Sequence, residues 1–307
     1  MISKVSIKDF RGLNVQADLK RINVVVGKNG TGKTSFLETI FLSSLFYSKY
    51  TESEIDALTL YTLNSRGNAF SSYLTIENAE VSMWDDNEEL KVIYKREDPY
   101  TLNVLYPEKP IATLTLEPFK IPYAGGISTP SYTLHVKLKQ KELTQRVFPV
   151  YLSTRFDSLD IPEKIISYAR YKGIKSNFEI LQDEYGSYTL HYVIDNKGIP
   201  AYLVGRGVLK EELIKDSLSY ASLVLIDEIE DSLHPNIVIR VLKSMKESSA
   251  QVIFTTHSNE VIRLMTDIFG DEEANIISLY GGRDYKIYYK PSLFKDFEKP
   301  LSWVGYI

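Results

Sequence analysis

Eight consecutive residues carry the sharpest chemical signal in this chain. Gly27-Lys28-Asn29-Gly30-Thr31-Gly32-Lys33-Thr34 is a glycine, four intervening residues, a glycine, a lysine and a hydroxyl residue. Glycines let successive backbone N–H groups turn toward one point. A helix starting there adds its positive dipole end, so such a loop suits phosphate oxygens. Lys33 is placed to bring a point charge to the β- and γ-phosphates of a nucleoside triphosphate. The Thr34 hydroxyl is placed to reach Mg²⁺, and Ser35 completes the phosphate-binding stretch.

Two further segments end in polar residues. Leu223-Val-Leu-Ile-Asp227-Glu228 is four apolar residues followed by two acids. A buried strand would deliver both carboxylates to its C-terminal edge, where ligands bind in open α/β sheets. Asp227 then holds the metal and Glu228 polarises an attacking water. Gln251-Val-Ile-Phe-Thr-Thr-His257-Ser258 is a third strand of this kind, and its His257 is placed to sense the γ-phosphate by a hydrogen bond.

The elements that must position these groups are legible in the apolar pattern. Arg21 to Val26 is a near-continuous apolar run ending at Gly27, as in a buried parallel strand. Phe36, Leu37, Ile40, Phe41 and Leu45 recur at helical spacing over 34–47, and a second short helix is expected over 51–65. Residues 71–150 read instead as alternating strands, at 73–77, 89–94, 111–116 and 132–138, separated by prolines and the Ala124-Gly-Gly turn. Residues 161–171 predict a helix and 178–194 a hairpin around Tyr185-Gly186. From 208 onward helices are expected at 208–218, 235–247 and 258–268, alternating with strands at 223–227, 251–255 and 275–279. The division expected is a core of residues 1–50 and 200–307 with a β-rich and helical arm, residues 51–199, inserted into it.

Composition bounds the rest. A chain of 307 residues with net charge −4 is not, as a whole, an electrostatic nucleic-acid binder. Cysteine is absent, which excludes disulfides, thiolate zinc sites and cysteine nucleophiles. The N-terminal residues lack a signal-peptide apolar core, and no run of about 18 uncharged apolar residues occurs, so a cytoplasmic protein with no membrane partner is expected. Thr133, His135, Lys137 and Lys139 alternate with Leu134, Val136 and Leu138. One strand face is thus basic and the other apolar: clustered cations would suit a nucleic-acid backbone such as DNA, and a solvated outer face is the reading favoured.

The order of loop, Asp-Glu strand and Thr-His-Ser strand resembles the ABC-type P-loop ATPases of the SMC, RecF and OLD group. Ile7-Lys-Asp-Phe-Arg11-Gly12 is similar to that group's opening strand and turn, and Ile226 to Pro235 resembles its predicted AAA/RecF-like ATPase branch, without a long coiled coil or a C-terminal nuclease module. The resemblance implies an α/β P-loop NTPase of the ABC-ATPase head type, with a mainly parallel central sheet and an antiparallel β-rich and helical insertion. It implies ATP and Mg²⁺ as ligands. The nucleotide is held by Gly27 to Ser35 and Arg11, the metal by Thr34 and Asp227, and Glu228, Lys33 and His257 are catalytic. It further implies a nucleotide-dependent homodimer in which a glycine-containing signature segment meets the partner's nucleotide. Gly205-Arg206-Gly207, ahead of the helix at 208, is the segment that fits, although the usual serine is missing. His234 stands at the group's D-loop aspartate position, and Tyr151-Leu-Ser-Thr-Arg155 where its Q-loop glutamine would be.

The function expected is ATP hydrolysis to ADP and phosphate, driving a conformational module in DNA maintenance or in defence against foreign DNA. The alternative is a slowly hydrolysing, nucleotide-gated switch that regulates a separately encoded effector protein. A small-molecule kinase is disfavoured by the Asp-Glu and Thr-His-Ser strands. A GTPase is disfavoured because Asn196-Lys-Gly-Ile lacks the base-reading acid.

Overall fold

The computed structural model describes residues 1–64, 69–85, 88–106, 109–121, 129–139, 147–153, 177–182, 188–195, 197–281 and 287–292. Its strands are β1 (Ile2–Phe10), β2 (Leu13–Asp18), β3 (Ile22–Val26), β4 (Ala79–Asp85), β5 (Glu88–Arg96), β6 (Thr101–Tyr106), β7 (Lys109–Ile121), β8 (Thr129–Leu138), β9 (Pro149–Leu152), β10 (Phe178–Gln182), β11 (Tyr188–Ile194), β12 (Lys197–Pro200), β13 (Leu223–Ile226), β14 (Gln251–Thr255), β15 (Ala274–Gly281) and β16 (Ile287–Ser292). Helices span Lys33–Leu45, Glu52–Asn64, Ala69–Leu74, Arg206–Tyr220, Pro235–Glu247 and Asn259–Ile268.

Thirteen strands form one sheet in the order β8-β7-β6-β5-β4-β1-β2-β16-β15-β3-β14-β13-β9. From β9 to β15 the ladders are parallel, and β16 meets β2 in parallel at Ile287 and Leu13. The ladders from β8 through β2, and β15 with β16, are antiparallel. The expectation of a mainly parallel sheet therefore needs correcting: the sheet is mixed, with parallel pairing concentrated in one half. The antiparallel strands hydrogen-bond directly into that sheet, because β1 pairs with β2 on one side and β4 on the other. A separate three-stranded sheet, β10-β11-β12, lies beside the helix Arg206–Tyr220, with Phe178 and Leu190 packed against Leu209 and Leu213.

Burial explains the strand pattern. All five residues of β3 and of β14, and all four of β9 and β13, are buried, as expected for strands covered on both faces. β8 alternates: Leu134 and Val136 are buried while Thr133, His135 and Lys137 are exposed. It is also the edge of the sheet, and the helix Glu52–Asn64 covers it. The Val136 N–H donates to the Asp56 carboxylate, and the Leu138 N–H to Glu52. Carboxylates here occupy edge donors that would otherwise template further pairing.

The helix Lys33–Leu45 is buried at every residue except Thr34. It contacts β9, β13 and β14 of the parallel half, β1 and β4 of the antiparallel half, and the helix Glu52–Asn64. A helix enclosed in this way is apolar nearly all round. Its polar residues are satisfied locally, with Thr39 bonding the Ser35 carbonyl, Ser44 that of Ile40, and Ser43 the Tyr94 hydroxyl at 3.0 Å.

Two expectations change here. Tyr73-Leu74, read as part of a strand, closes the helix Ala69–Leu74. The Tyr73 hydroxyl donates to the Tyr100 and Leu114 carbonyls and its ring lies under Arg96, so tertiary contacts outweigh β-propensity. Strands β4 and β6 were not anticipated. The helix at 161–171, the Tyr185-Gly186 turn and Thr154-Arg155 lie outside the described residues.

Arg11 ties three elements together. It follows β1 with a left-handed φ of 52°. Its guanidinium pairs with the fully buried Glu38 of the helix Lys33–Leu45, and bonds the Ser72 hydroxyl at 2.9 Å and carbonyl at 3.2 Å. With the two side chains 5% and 0% exposed, Arg11→Met should remove the guanidinium that pairs with a buried carboxylate and destabilise the fold by about 3–5 kcal/mol. The double variant Arg11→Met/Glu38→Met should recover most of that loss in denaturant titrations. Equal stability of the wild type and Arg11→Met would refute the clamp.

Candidate functional site

Three parallel strands end side by side and carry the site. Register pairs Val252 with Ile22 and Val224 with Val252, so the C-terminal ends of β3, β14 and β13 are neighbours. The loop after β3 opens at Gly27 and closes at Gly32, which has φ 92° and precedes the helix. A Cβ at Gly27 would lie 2.4 Å from the Leu279 carbonyl oxygen and 2.6 Å from the Thr31 hydroxyl, so the close approach requires glycine. Thr31 folds the loop back on itself, its N–H and hydroxyl both donating to the Lys28 carbonyl.

The Lys33 ammonium donates to the carbonyls of Gly27 (3.0 Å) and Lys28 (3.1 Å). Burial pulls its pKa below the ordinary lysine value, while the negative charges of Asp227, Glu228 and Glu230 oppose that shift. Thr34 donates to the Asp227 carboxylate at 3.0 and 3.3 Å. Asp227 is buried, and its Oδ1 also accepts from the Thr255 hydroxyl at 2.7 Å. That same hydroxyl accepts the Glu228 N–H at 2.7 Å. Glu228 has a left-handed φ of 46°, an uncommon conformation for a residue with a side chain, which turns the chain sharply after Asp227. His257 Nε2 lies 3.7 Å from Glu228 Oε1, and the His257 N–H donates to Glu230 Oε1 at 2.6 Å.

These groups surround one cavity of about 1310 Å³. Asn29, Gly30 and Gly32 to Ser35 line it together with Asp227, Glu228 and His257, and Asp9, Arg11 and Gly12 line it from the β1–β2 turn. The Arg11 guanidinium is committed to Glu38 and Ser72, so it contributes to the wall through a fixed side chain. Gly205, Arg206 and Gly207 do not line this cavity. They lie where the helix Arg206–Tyr220 begins, and Arg206 is 3.9 Å from the Asp231 carboxylate. His234 caps the helix Pro235–Glu247, its ring Nδ1 accepting the Asn236 N–H at 3.3 Å.

A sequence family described as "AAA domain, putative AbiEii toxin, Type IV TA system" matches residues 124–263, which include both acids and His257. Among solved structures, the Pyrococcus furiosus Smc head domain with an extended coiled coil, bound to the C-terminal domain of ScpA, aligns at TM-score 0.50 and 13% identity over 99% of each chain. The chain shares the fold of that head domain. An SmcHead bound to the C-winged helix domain of ScpA aligns at TM-score 0.48 and 15% identity over 96% of this chain and 99% of that one. The SMC head domain from Thermotoga maritima aligns at 0.45 and 15% over 95% and 99%. No curated relative matches. Among the described residues no helix is long and apolar enough to cross a membrane.

Several residues of this site carry no signature in the sequence. Ser71, Thr75, Glu77 and Asn78 line the cavity from a stretch whose pattern had suggested a strand. Thr255 was visible only as a strand residue, yet it joins both acids. Lys210 is fully buried, and its ammonium donates to the carbonyls of Glu228 (2.8 Å) and Asp231 (3.0 Å). Burial lowers its pKa to about 8 against the pull of Asp231, Glu230, Asp227 and Glu228.

Thr255 can be tested without altering either carboxylate. Thr255→Val keeps the shape but removes the acceptor of the Glu228 N–H and one donor to Asp227 Oδ1, so stability should fall by about 1–3 kcal/mol. Turnover should fall further than nucleotide affinity, because the hydroxyl orders the acids and does not line the cavity. A variant with wild-type melting and wild-type turnover would show that the hydroxyl is incidental.

Proposed function

We propose that this chain binds Mg²⁺–ATP at the P-loop and hydrolyses it to ADP and phosphate, as the head of a nucleotide-driven conformational module. The observation that carries the reading is the junction of Lys33, Thr34, Asp227 and Glu228 at one end of one cavity.

The residues present fit both ligands. The helix start and the glycine turn present backbone donors, and Lys33 adds a cation for the β- and γ-phosphates. Thr34 and Asp227, already within hydrogen-bond distance, form the hydroxyl-and-carboxylate pair that would hold Mg²⁺ beside phosphate oxygens. When bound, the metal neutralises charge on the phosphate oxygens. Ser71, Thr75, Glu77 and Asn78 add polar groups to the wall of the same cavity.

Glu228 is the group that acts on water. Its carboxylate accepts a proton as the water oxygen bonds to the γ-phosphorus, and the bond from that phosphorus to the bridging oxygen of ADP breaks. Lys33 and the loop N–H groups meet the charge that moves onto the phosphates, and His257, beside Glu228, is placed to bond a γ-phosphate oxygen. The chain's division into a core (1–50 and 200–307) and an arm (51–199) belongs to the same proposal, as does a nucleotide-dependent homodimer in which Gly205-Arg206-Gly207 meets the partner's nucleotide. The work done by the module is proposed to be DNA maintenance or defence against foreign DNA, by analogy with the group it resembles.

Two substitutions test the chemistry. Lys33→Ala should abolish ATP binding in calorimetry, since the loop loses its phosphate-facing cation. Unchanged affinity would exclude the site. Glu228→Gln should keep Mg²⁺–ATP binding and lose turnover by about 100-fold or more, because an amide does not take a proton from water. Hydrolysis at the wild-type rate would assign the water to another residue.

A further inference from the structure

The helix Arg206–Tyr220 and the loop that carries Glu228 meet in an unusually close contact. Gly207, in the first turn of the helix, faces the Ser232 carbonyl. A Cβ added there would lie 2.6 Å from that oxygen, so backbone packs on backbone. One turn later Lys210 is fully buried and donates to two carbonyls of the same loop, Glu228 at 2.8 Å and Asp231 at 3.0 Å. The loop is tightly wound. Glu228 and Ser232 have φ of 46° and 62°, and the Asp231 N–H donates to the Glu228 carbonyl at 2.9 Å. The Glu228 carbonyl therefore accepts twice, once from its own turn and once from Lys210.

An ammonium is a costly way to join a helix to a loop. Removing it from water is unfavourable unless its donors are satisfied, and an apolar side chain would fill the space without that cost. What a lysine adds is a pair of charge-assisted bonds to carbonyls that point inward because the loop is left-handed at both ends. Asp227, Glu228, Glu230 and Asp231 surround it with negative charge.

We propose that Lys210 is a positioning residue for Glu228: it clasps the Glu228–Asp231 turn, fixes the direction of the Glu228 carboxylate, and makes that direction depend on where the Gly205-Arg206-Gly207 end of its own helix sits. The proposal rests on the reading of Glu228 as the residue that acts on water. Its consequence is regulatory. A displacement of the helix start would move the backbone contact at Gly207 and the two Lys210 bonds, and both end on the turn that carries Glu228. Through this clasp, hydrolysis at one P-loop depends on the position of the same subunit's helix start, while nucleotide affinity, set by the loop 27–34, does not.

The test compares the wild type with Lys210→Met, Lys210→Arg and Gly207→Ala in the full chain. Three quantities are read: ATP affinity, ATP turnover, and deuterium exchange at the amides of 228–233 without nucleotide. Lys210→Met should bind ATP within about threefold of the wild type while turnover falls about 100-fold, the split expected when an acting group is misplaced and binding is intact. Exchange at Asp231 and Leu233 should accelerate. Lys210→Arg, which keeps charge and donors, should recover part of the turnover. Gly207→Ala should speed the same exchange by pushing on Ser232, and it carries the test should Lys210→Met fail to fold. Unchanged exchange in Gly207→Ala, or in a folded Lys210→Met, overturns the proposal. So does wild-type turnover in Lys210→Met. A wild type that binds but never hydrolyses ATP would instead remove the proposed function, with the exchange measurement still reporting on the clasp.

Discussion

The Asp227 carboxylate is the joint on which the site hangs. It is buried at the end of β13, accepts from Thr34 at the start of the P-loop helix, and accepts from Thr255 at the end of β14. Three segments far apart in sequence are thus held by one side chain, at the C-terminal edge of the parallel strands. A buried carboxylate is expensive unless its oxygens are satisfied, so these contacts must form together or not at all. The in-register parallel pairing of β3, β14 and β13 is what makes them possible. A slip of one residue would turn Asp227 to the opposite face and separate it from Thr34.

The unusual burial of the P-loop helix follows from the same joint. Because the helix must begin beside Asp227, its body runs across the parallel strands and under the antiparallel ones, and nearly every residue is enclosed. The antiparallel strands then become part of the site's support. Arg11, from the β1–β2 turn, pairs with Glu38 one turn into the helix, and the same guanidinium holds Ser72, whose neighbours Ser71 and Thr75 line the cavity. One continuous sheet therefore supports both the Lys33 side of the cavity and the wall that Ser71 and Thr75 form. Charge-pair geometry couples the two more tightly than a hinged arm would.

The legible parts of this arrangement were those with a local signature. The loop 27–34 announces itself by glycine spacing. β13 and β14 do so by continuous apolar runs ending in polar residues, and Pro235–Glu247 by Pro235 at its start and a clear apolar stripe. What could not be read depends on contacts between distant residues. Tyr73 looks like a strand residue until Arg96, Tyr100 and Leu114 surround it. β4 and β6 mix apolar with polar residues and gain their character from neighbours on both sides. Thr255 and Lys210 are ordinary residue types in ordinary elements. Their importance lies in the partner reached across 28 residues in one case and 18 in the other, which no periodicity encodes.

The segment Gly205-Arg206-Gly207 shows why a motif and its environment must be read together. Taken alone, two glycines before a helix suggest a surface shaped for a phosphate brought by a second subunit. In place, Gly207 is required by the chain's own Ser232 carbonyl, and Arg206 lies near the chain's own Asp231. The two roles do not compete, because the N-terminal face of a helix can meet an anion while its flank packs on a loop. Their coexistence on one short turn is what allows an event on one side of the helix to be felt on the other. The Gly207 contact and the two Lys210 bonds join the helix directly to the turn that carries Glu228, and direct contacts of this kind transmit a displacement that a solvated linker would absorb.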